Sequence, residues 1–556
     1  MTEALIKRLG EEIGVCLPDV RVTGADPVLP SVFRIGTAAA ACVGAVTAAA
    51  ALYWTRQGGQ VGARHPQADP DAASPGPDAT VPSPDSTVPS PDSTVPSLDS
   101  PVPGSDVPDV VTADGPVLDT ARPDGAMPEV SVDVRHAAAA FLSERYFRID
   151  GEGMGLWAPL SGDYRTSDGW IKLHCNFDHH RDAVLRALRL PADADRAGVS
   201  SACESRTSAE IEDAVTREGG CAAAMRSRAE WLDHPQAQEI SRTPVVALSR
   251  LDVAPRPGSA ARNPLRRDPT GPGRVGRPLE GVRVLDLTRV IAGPVAGRIL
   301  AAHGAEVLRV GAAHVPEVPG LVVETAFGKR SCHIDLRTEA ETLRELVRRA
   351  DVVVQGYRPG ALADRGFGPE DLAGLRPGIV SVEISAYGSR GPWGRRRGFD
   401  SLVQMVCGIA HEGGDGTRPR PLPCQALDHA TGYLAAFGAV AGLLRRADEG
   451  GSWRVELSLA RTARWFDDLG RVDPARATSD GTGPGESGPS GIERGGQVLD
   501  GEPGPSVDDL LASMDSPFGT LTYVRPPGRI EGAEPYWATP PPRQGEHPAG
   551  WATTTG

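Results

Sequence analysis

The feature that most narrows the fold is an alternation of short apolar runs with helical stretches in the second half of the chain. GVRVLDL (Gly281–Leu287) reads as a buried strand, and the following TRVIAGPVAGRILAAHG as a loop and a helix stopped by Gly304. AEVLRV (Ala305–Val310) is the next strand; SCHIDLR, the helical RTEAETLRELVRRA, and the strands DVVVQGY and IVSVEIS (Ile379–Ser385) follow. Strands spaced by single helices predict a parallel sheet with right-handed crossovers. Ligands of such sheets sit at the C-terminal strand ends, here Asp286–Gly293, Gly356–Gly360 and Ala386–Gly391. The expected class is α/β: a parallel-sheet, Rossmann-like domain plus a smaller α+β domain.

At 556 residues the chain needs two or three folded units. Residues 61–129 differ from their flanks: SPDSTVP occurs at Ser83–Pro89 and Ser90–Pro96, with a decayed copy at Ser97–Pro103. Proline every few residues blocks helices and ladders, and Ser, Asp and Thr bury no core, so a disordered insert is expected. Residues 255–278 and 471–505 read as linkers. They separate 1–60, 130–254 (a helix and a small α+β domain, in which Glu210–Ala223 and Ala224–Leu232 read as helices), 279–470, and a C-terminal segment, 506–556.

An internal duplication is visible. IGTAAAACVGAVTAAAALYWTRQGG (35–59), continued after the insert by VSVDVRHAAAAF, parallels LDHATGYLAAFGAVAGLLRRADEGG (427–451), continued by WRVELSLARTARW. Both run as an Ala-rich helix, a Gly-Gly turn, an alternating strand and another Ala-rich helix. Gly36 then stands where the second copy has Asp428, making residues 1–60 a degenerate half-copy.

A net charge of −14 argues against general nucleic-acid binding. The basic residues are nearly all Arg, with Lys7, Lys172 and Lys329 the only lysines; this skew reads as base composition. Eight scattered cysteines without a CxxC pair, and a polar N-terminus, lead to the expectation of a cytoplasmic protein. Ile35–Trp54 has 20 residues without a charge, but its Ala-rich composition reads as a buried helix, with no membrane partner expected.

The first β–α turn is AGPVAG, not GxGxxG, and the second strand ends in Val310-Gly311 with no acidic residue for a ribose, so no NAD is expected. His174, Cys175, His179 and His180 lie close together, but a strand and a helix start would splay them; no metal is expected. Asp428 sits at the entrance of the helix TGYLAAFGAVAGLL, where spacing alone makes it a cap.

PLEGVRVLDLTRVIAGPVAGRILAAHGAEVLRV, FGKRSCHIDLR, ADVVVQGYRPGALADRGFG, GIVSVEISAYGSRGP, RGFDSLVQ and LDHATGYLAAFGAVAGLL together resemble the family III CoA-transferases. That group includes formyl-CoA transferase, carnitine CoA-transferase and the α-methylacyl-CoA racemases. The resemblance covers roughly 190 residues, in the family's order. WAPLSGDYRTSDGWIKLH and SPFGTLTYVRPPGRIEG resemble its small-domain and C-terminal segments. The order is unusual and, with the duplication, suggests a fused, partly decayed double-length form.

The resemblance implies a CoA-binding domain over 279–470, with coenzyme A, as acyl-CoA, and a carboxylic acid for substrates. It makes Asp428 a nucleophile that is ionised at neutral pH and passes through an aspartyl anhydride and an aspartyl-CoA thioester, with N–H groups at its helix start stabilising oxyanions. Ile291, Ala292, Arg337, Gly356, Tyr357, Arg358 and Arg397 match CoA-contacting positions, and Arg365 is one residue from another. A basic residue usual after the second strand is absent at Val310-Gly311-Ala312-Ala313, leaving Arg309 or Arg358 to compensate. The racemase branch has a His where this chain has Phe399, so transfer is expected over racemisation. A non-catalytic CoA-binding relative is the other alternative. Pairing of two chains, or a pseudo-dimer within one chain, is the implied assembly.

Deleting residues 65–125 should leave soluble expression and the urea unfolding midpoint of the remainder nearly unchanged. Loop closure costs only about 0.6 kcal/mol per doubling of loop length.

Overall fold

The computed structural model describes residues 1–59, 127–251, 276–473 and 507–552. The repeat-bearing insert and most of both expected linkers lie outside the described residues.

Seven strands form the main sheet: β1 (Ala247–Leu251), β2 (Arg283–Leu287), β3 (Glu306–Gly311), β4 (Lys329–His333), β5 (Val352–Gln355), β6 (Val380–Ser385) and β7 (Ser452–Ser458), in the order β4-β3-β2-β5-β6-β7-β1. All neighbours pair in parallel except β7 with β1. β5 is buried along its whole length, as its unbroken VVVQ run requires for a strand covered on both faces. The parallel strands begin at β2, wind outward to β4, and resume on the other side of β2 at β5. The strand order therefore reverses between β2 and β5, opening a crevice at their C-terminal ends.

Two long Ala-rich helices carry the rest of the core. α1 (Ile35–Arg56) packs along α4 (Ala426–Glu449), which also lies against α2 (Ala292–Ala302) and the sheet. Small residues permit the approach. A Cβ on Gly432 would stand 2.5 Å from the Ala292 carbonyl oxygen, and one on Gly442 2.7 Å from Val380. α1 is long and apolar enough to cross a membrane, yet every residue from Ile35 to Trp54 is buried inside the protein.

The two resembling segments run through the same order of elements. α1 leads to the strand Val130–Asp133 and the helix Val134–Ala140; α4 leads to β7 and α5 (Leu459–Asp468). Both strand–helix junctions carry a side-chain cap, Asp133 on the His136 N–H at 2.9 Å and Ser458 on the Arg461 N–H at 3.2 Å.

Three expectations need correction. Residues 130–254 are not one unit: Val130–Asp133 pairs with Val20–Thr23, and β1 joins the edge of the main sheet, because each strand's free edge is met by a non-local partner. The expected helices Glu210–Ala223 and Ala224–Leu232 are instead Ser208–Arg217 and Arg228–Asp233, with a strand, Ala222–Ala224, between them. Gly219, at φ +78°, ends the first helix, and the Ser227–Glu230 capping box starts the second, leaving three alanines to pair with Ile171–Leu173. The C-terminal segment is not separate either, for Leu511–Ser516 and Gly519–Val524 extend a sheet begun by Arg148–Ile149.

Lys329 on β4 reaches across β3 to Asp286 on β2 at 2.7 Å, and neither side chain is exposed. Lys329→Met, which strands the Asp286 charge, should cost about 3–5 kcal/mol in urea unfolding, and the double change Lys329→Met/Asp286→Leu should recover most of it.

Candidate active site

The crevice at the β2/β5 switch point holds a cavity of about 340 Å³. Its floor is the β2–α2 connection, Leu287–Gly293. One wall is Gly356–Arg358 after β5, the opposite side is Arg396–Phe399, and Asp428 of α4 closes it. Phe177, His179 and His180, from the smaller α/β unit, form the remaining rim.

The floor is held rigidly. Asp286 accepts hydrogen bonds from the Thr288 N–H at 3.0 Å and from its hydroxyl, while Lys329 Nζ donates to Asp286 and to the Pro294 carbonyl, each at 2.7 Å. Burial lowers the Lys329 pKa, with the Asp286 charge opposing. Gly297 makes room for the pair, since a Cβ there would stand 2.7 Å from Asp286 Oδ2. Between these anchors Val290 has φ +71°, a left-handed conformation that is strained for a β-branched residue.

Asp428 is only 7% exposed. It is not a cap: no side chain caps α4, and no donor among the described residues reaches the Asp428 carboxylate. Instead Asp400 accepts the Asp428 N–H at 2.9 Å and also that of Leu427. Burial pushes the Asp428 carboxyl well above the usual carboxylate range, and the charges of Asp400 and Glu144 push it further. Burial likewise raises Asp400, to about 6, against the N–H bonds it accepts. Glu144 is also deeply buried, but His429 Nε2 at 2.9 Å outweighs burial and holds it below its ordinary value. Burial and the neighbouring carboxylates therefore oppose ionisation of Asp428. One expectation is corrected: the first N–H groups of its helix are taken by Asp400. Free donors lie instead at the start of α2, whose Ile291 N-cap makes no side-chain bond and whose first turn lies on the cavity floor.

The cavity brings together Ile291, Ala292, Gly356, Tyr357, Arg358, Arg397 and Asp428. It does not include Arg337 or Arg365. Arg337 follows the edge strand β4 and is held by Asp335 at 2.6 Å; Arg365 ends a single 3-10 turn, Ala363–Arg365, outside the cavity wall. Arg309 is paired with Glu317 at 2.6 Å, which leaves Arg358 as the available cation. Burial lowers the Arg358 pKa, and the like charges of Arg397 and Arg395 lower it further. Arg397 donates to the Gly219 carbonyl at 2.5 Å, and Arg396 pairs with Glu212 at 3.1 Å. The His174 ring stacks on Phe399, centroids 3.7 Å apart, and burial drives its pKa down to about 3.

Residue-by-residue reading missed Asp400, Glu144, His429 and the Lys329–Asp286 pair. A signal existed for the last: two of the three lysines in this arginine-rich chain, Lys172 and Lys329, are buried against aspartates, Lys172 at 2.6 Å from Asp163.

A strand-order switch point with a buried carboxylate facing a cationic rim is where an α/β protein binds a small molecule. Residues 279–489 match the family model of CoA-transferase family III. It is 29% identical over 329 residues to an acetyl-coenzyme A transferase of Hypoxylon pulicicidum, covering 56% of this chain and 54% of that protein. It is 35% identical over 202 residues to the human succinyl-CoA:glutarate CoA-transferase, covering 33% and 45%. A crystal structure of a CaiB/BaiF family protein from Brucella suis aligns over 34% of this chain and 55% of that one, with 29% identity and a TM-score of 0.32. The chain spans about half the length of these curated relatives.

A folded-state pKa raised above the unfolded value of about 3.9 means that the native protein retains a proton which the unfolded chain has lost. Asp428 therefore detracts from stability progressively as pH rises from about 4 toward its folded pKa, by about 1.4 kcal/mol for each pH unit in that window. Asp428→Asn should unfold at a higher temperature than the parent at pH 8 and at nearly the same temperature at pH 4.

Proposed function

We propose that this protein is a CoA-transferase that moves CoA from an acyl-CoA to a free carboxylic acid, with Asp428 as the covalent carrier. The observation that supports it most is a buried carboxylate, reached by no hydrogen-bond donor among the described residues, on the wall of a switch-point cavity rimmed by Arg358 and Arg397. The two curated relatives named above, both CoA transferases by name, agree with this.

In this reading the CoA phosphates lie against Arg358 and Arg397, and the thioester crosses Ile291 and Ala292. Asp428 attacks the thioester carbonyl, forming an acyl–aspartyl anhydride and expelling CoA thiolate. The thiolate attacks the aspartyl carbonyl, releases the original acid and leaves an Asp428–CoA thioester, which the acceptor carboxylate then resolves through a second anhydride. The α2 N–H groups serve the oxyanions, because those of α4 are taken. Racemisation is disfavoured: Phe399 carries no base, and the imidazole against it, His174, is held neutral down to a pH of about 3. A cytoplasmic location fits eight free cysteines and an apolar α1 buried in the fold.

Incubation with mixed acyl-CoAs should yield a covalent CoA adduct by intact mass, absent in Asp428→Asn. That variant should lose at least ~4 kcal/mol of transition-state stabilisation, roughly a thousandfold in rate. Near-normal turnover would remove Asp428 from the chemistry.

Because the reactive form is the anion and its pKa is raised, adduct formation should fall as pH drops through that pKa. Asp400→Asn removes the neighbouring negative charge, so the acid limb should move to lower pH. A pH–rate profile unmoved by Asp400→Asn would contradict the coupling.

A further inference from the structure

A small space of about 50 Å³ on the other side of Asp428, with Glu144 and Arg145 in its wall, belongs to the site already described. A larger cavity, of about 610 Å³, does not. It opens over the C-terminal ends of β5, β6 and β7, beside the Asp428 cavity along the same edge of the sheet. The two have Tyr357, Pro359, Ile384 and Ser385 in common, but neither Asp428 nor any arginine of the first cavity lines the second. Its volume falls within the roughly 300–1,000 Å³ of small-molecule sites.

Every carboxylate in this wall already meets a guanidinium. Glu383 and Glu456, cross-strand neighbours, share Arg454 at 2.6 and 3.0 Å. Asp364 lies 3.5 Å from Arg395, and Glu239 3.1 Å from Arg242. Arg390 and Arg461 are left over, and among the described residues no carboxylate pairs with either. The fold fixes where both stand. Ser385 and Ser458 end β6 and β7 as register partners, and beyond them the Ala460 N–H donates to the Ala386 carbonyl at 3.0 Å. The two segments therefore leave the sheet side by side. Arg461 lies on the first turn of α5, where its Nε donates to the Thr243 carbonyl at 2.7 Å; one of its terminal nitrogens is sealed from solvent without a hydrogen-bond partner. Arg390 lies in the loop after β6, which the fully buried Gln236 pins. Gln236 donates to the Tyr387 and Arg390 carbonyls at 2.7 and 2.8 Å and accepts the Trp393 N–H at 2.7 Å. A buried guanidinium nitrogen without an acceptor marks a missing partner, and two uncompensated guanidiniums in one cavity make that partner an anion.

We propose that this cavity is a second ligand site, which takes a small organic polyanion bearing phosphate or carboxylate groups, held by Arg390 and Arg461. A ligand with one charge leaves a guanidinium uncompensated, so two anionic groups are favoured over one. The rest of the ligand meets Glu383 and Glu456, which repel an anion and accept hydrogen bonds from hydroxyl or amide donors. The class is therefore a hydroxylated polyanion, such as a sugar bisphosphate or a hydroxy polycarboxylate. The inference does not depend on Asp428 being the covalent carrier, because neither arginine lines the cavity of Asp428.

Titration calorimetry of the full-length protein with fructose 1,6-bisphosphate and with citrate is the test. Wild type should bind at least one of them saturably. Tighter binding of the bisphosphate assigns the site to phosphates, tighter binding of citrate to carboxylates, and either supports the proposal. Arg390→Met/Arg461→Met should weaken binding about 10- to 100-fold, as expected for losing hydrogen bonds to charged groups. Arg358→Met/Arg397→Met, in the neighbouring cavity, should leave it within a factor of about two. The reverse pattern puts the anion in the Asp428 cavity and overturns the proposal, as does a wild type that binds neither probe at millimolar concentration. Arg461 is half-buried, and hydrogen–deuterium exchange of wild type gives a reading that needs no variant to fold. The bound probe should slow exchange over Gly388–Arg390 and Leu459–Arg461; protection confined to Leu287–Gly293 overturns the proposal.

Discussion

Lys329 and Asp286 lie on strands separated by a third, yet their side chains meet at 2.7 Å beneath the first turns of α2, sealed from solvent. Burying either charge alone costs several kcal/mol, so neither strand can shift without the other. The pair reaches further through its remaining hydrogen bonds. Asp286 holds Thr288, Lys329 holds the Pro294 carbonyl, and the segment between them is pinned at both ends. That restraint accounts for Val290, whose left-handed backbone persists only where the surroundings over-determine it. The backbone of Ile291 and Ala292 is consequently in place before any ligand arrives, which is what an oxyanion donor requires.

The two copies of the helix–strand–helix unit diverge at one informative point. In the second copy Asp400 receives the N–H of Asp428 at 2.9 Å; in the first, Asp26 receives those of Gly36 and Thr37 at 2.9 and 2.6 Å. The carboxylate that terminates the helix survives in both. The carboxylate on the helix does not, and a Cβ at Gly36 would come within 2.4 Å of Asp26 Oδ1, so the first copy has closed over the space. What it retains is packing: α1 covers α4, and the segment after its repeat delivers Glu144 and Arg145 to the other copy's cavities.

The parallel sheet and the strand ends that line its cavity were legible because they rest on local signals: apolar runs, helical periodicity and glycines at the stops. The electrostatics were not. Glu144 and His429 are 285 positions apart, and nothing in either neighbourhood announces the other. Arg337 carried the family position, but whether it faces a ligand depends on Asp335, two residues earlier, which binds it from outside the cavity. Ala222–Ala224 read as helix because alanine favours helix; tertiary pairing with Ile171–Leu173 overrode that preference.

Asp400 acts on Asp428 in two ways that point in the same direction. Its charge repels a second anion, and its oxygens occupy the backbone donors that would otherwise solvate one. The positive end of α4 returns only a fraction of that loss, about 0.3–1 kcal/mol at an ordinary helix start. An anion at Asp428 is therefore poorly stabilised where it begins. In the proposed reaction its negative charge passes outward, to a thiolate or a departing carboxylate on the side of the cavity lined by Arg358 and Arg397. Charge would then move from a place that repels it toward one that attracts it. The fold has to hold that arrangement together beforehand, and the close apposition of α4 and α2 at Gly432 is how it does so: the helix bearing the unstable carboxylate is locked by packing against the helix whose free N–H groups face the same space.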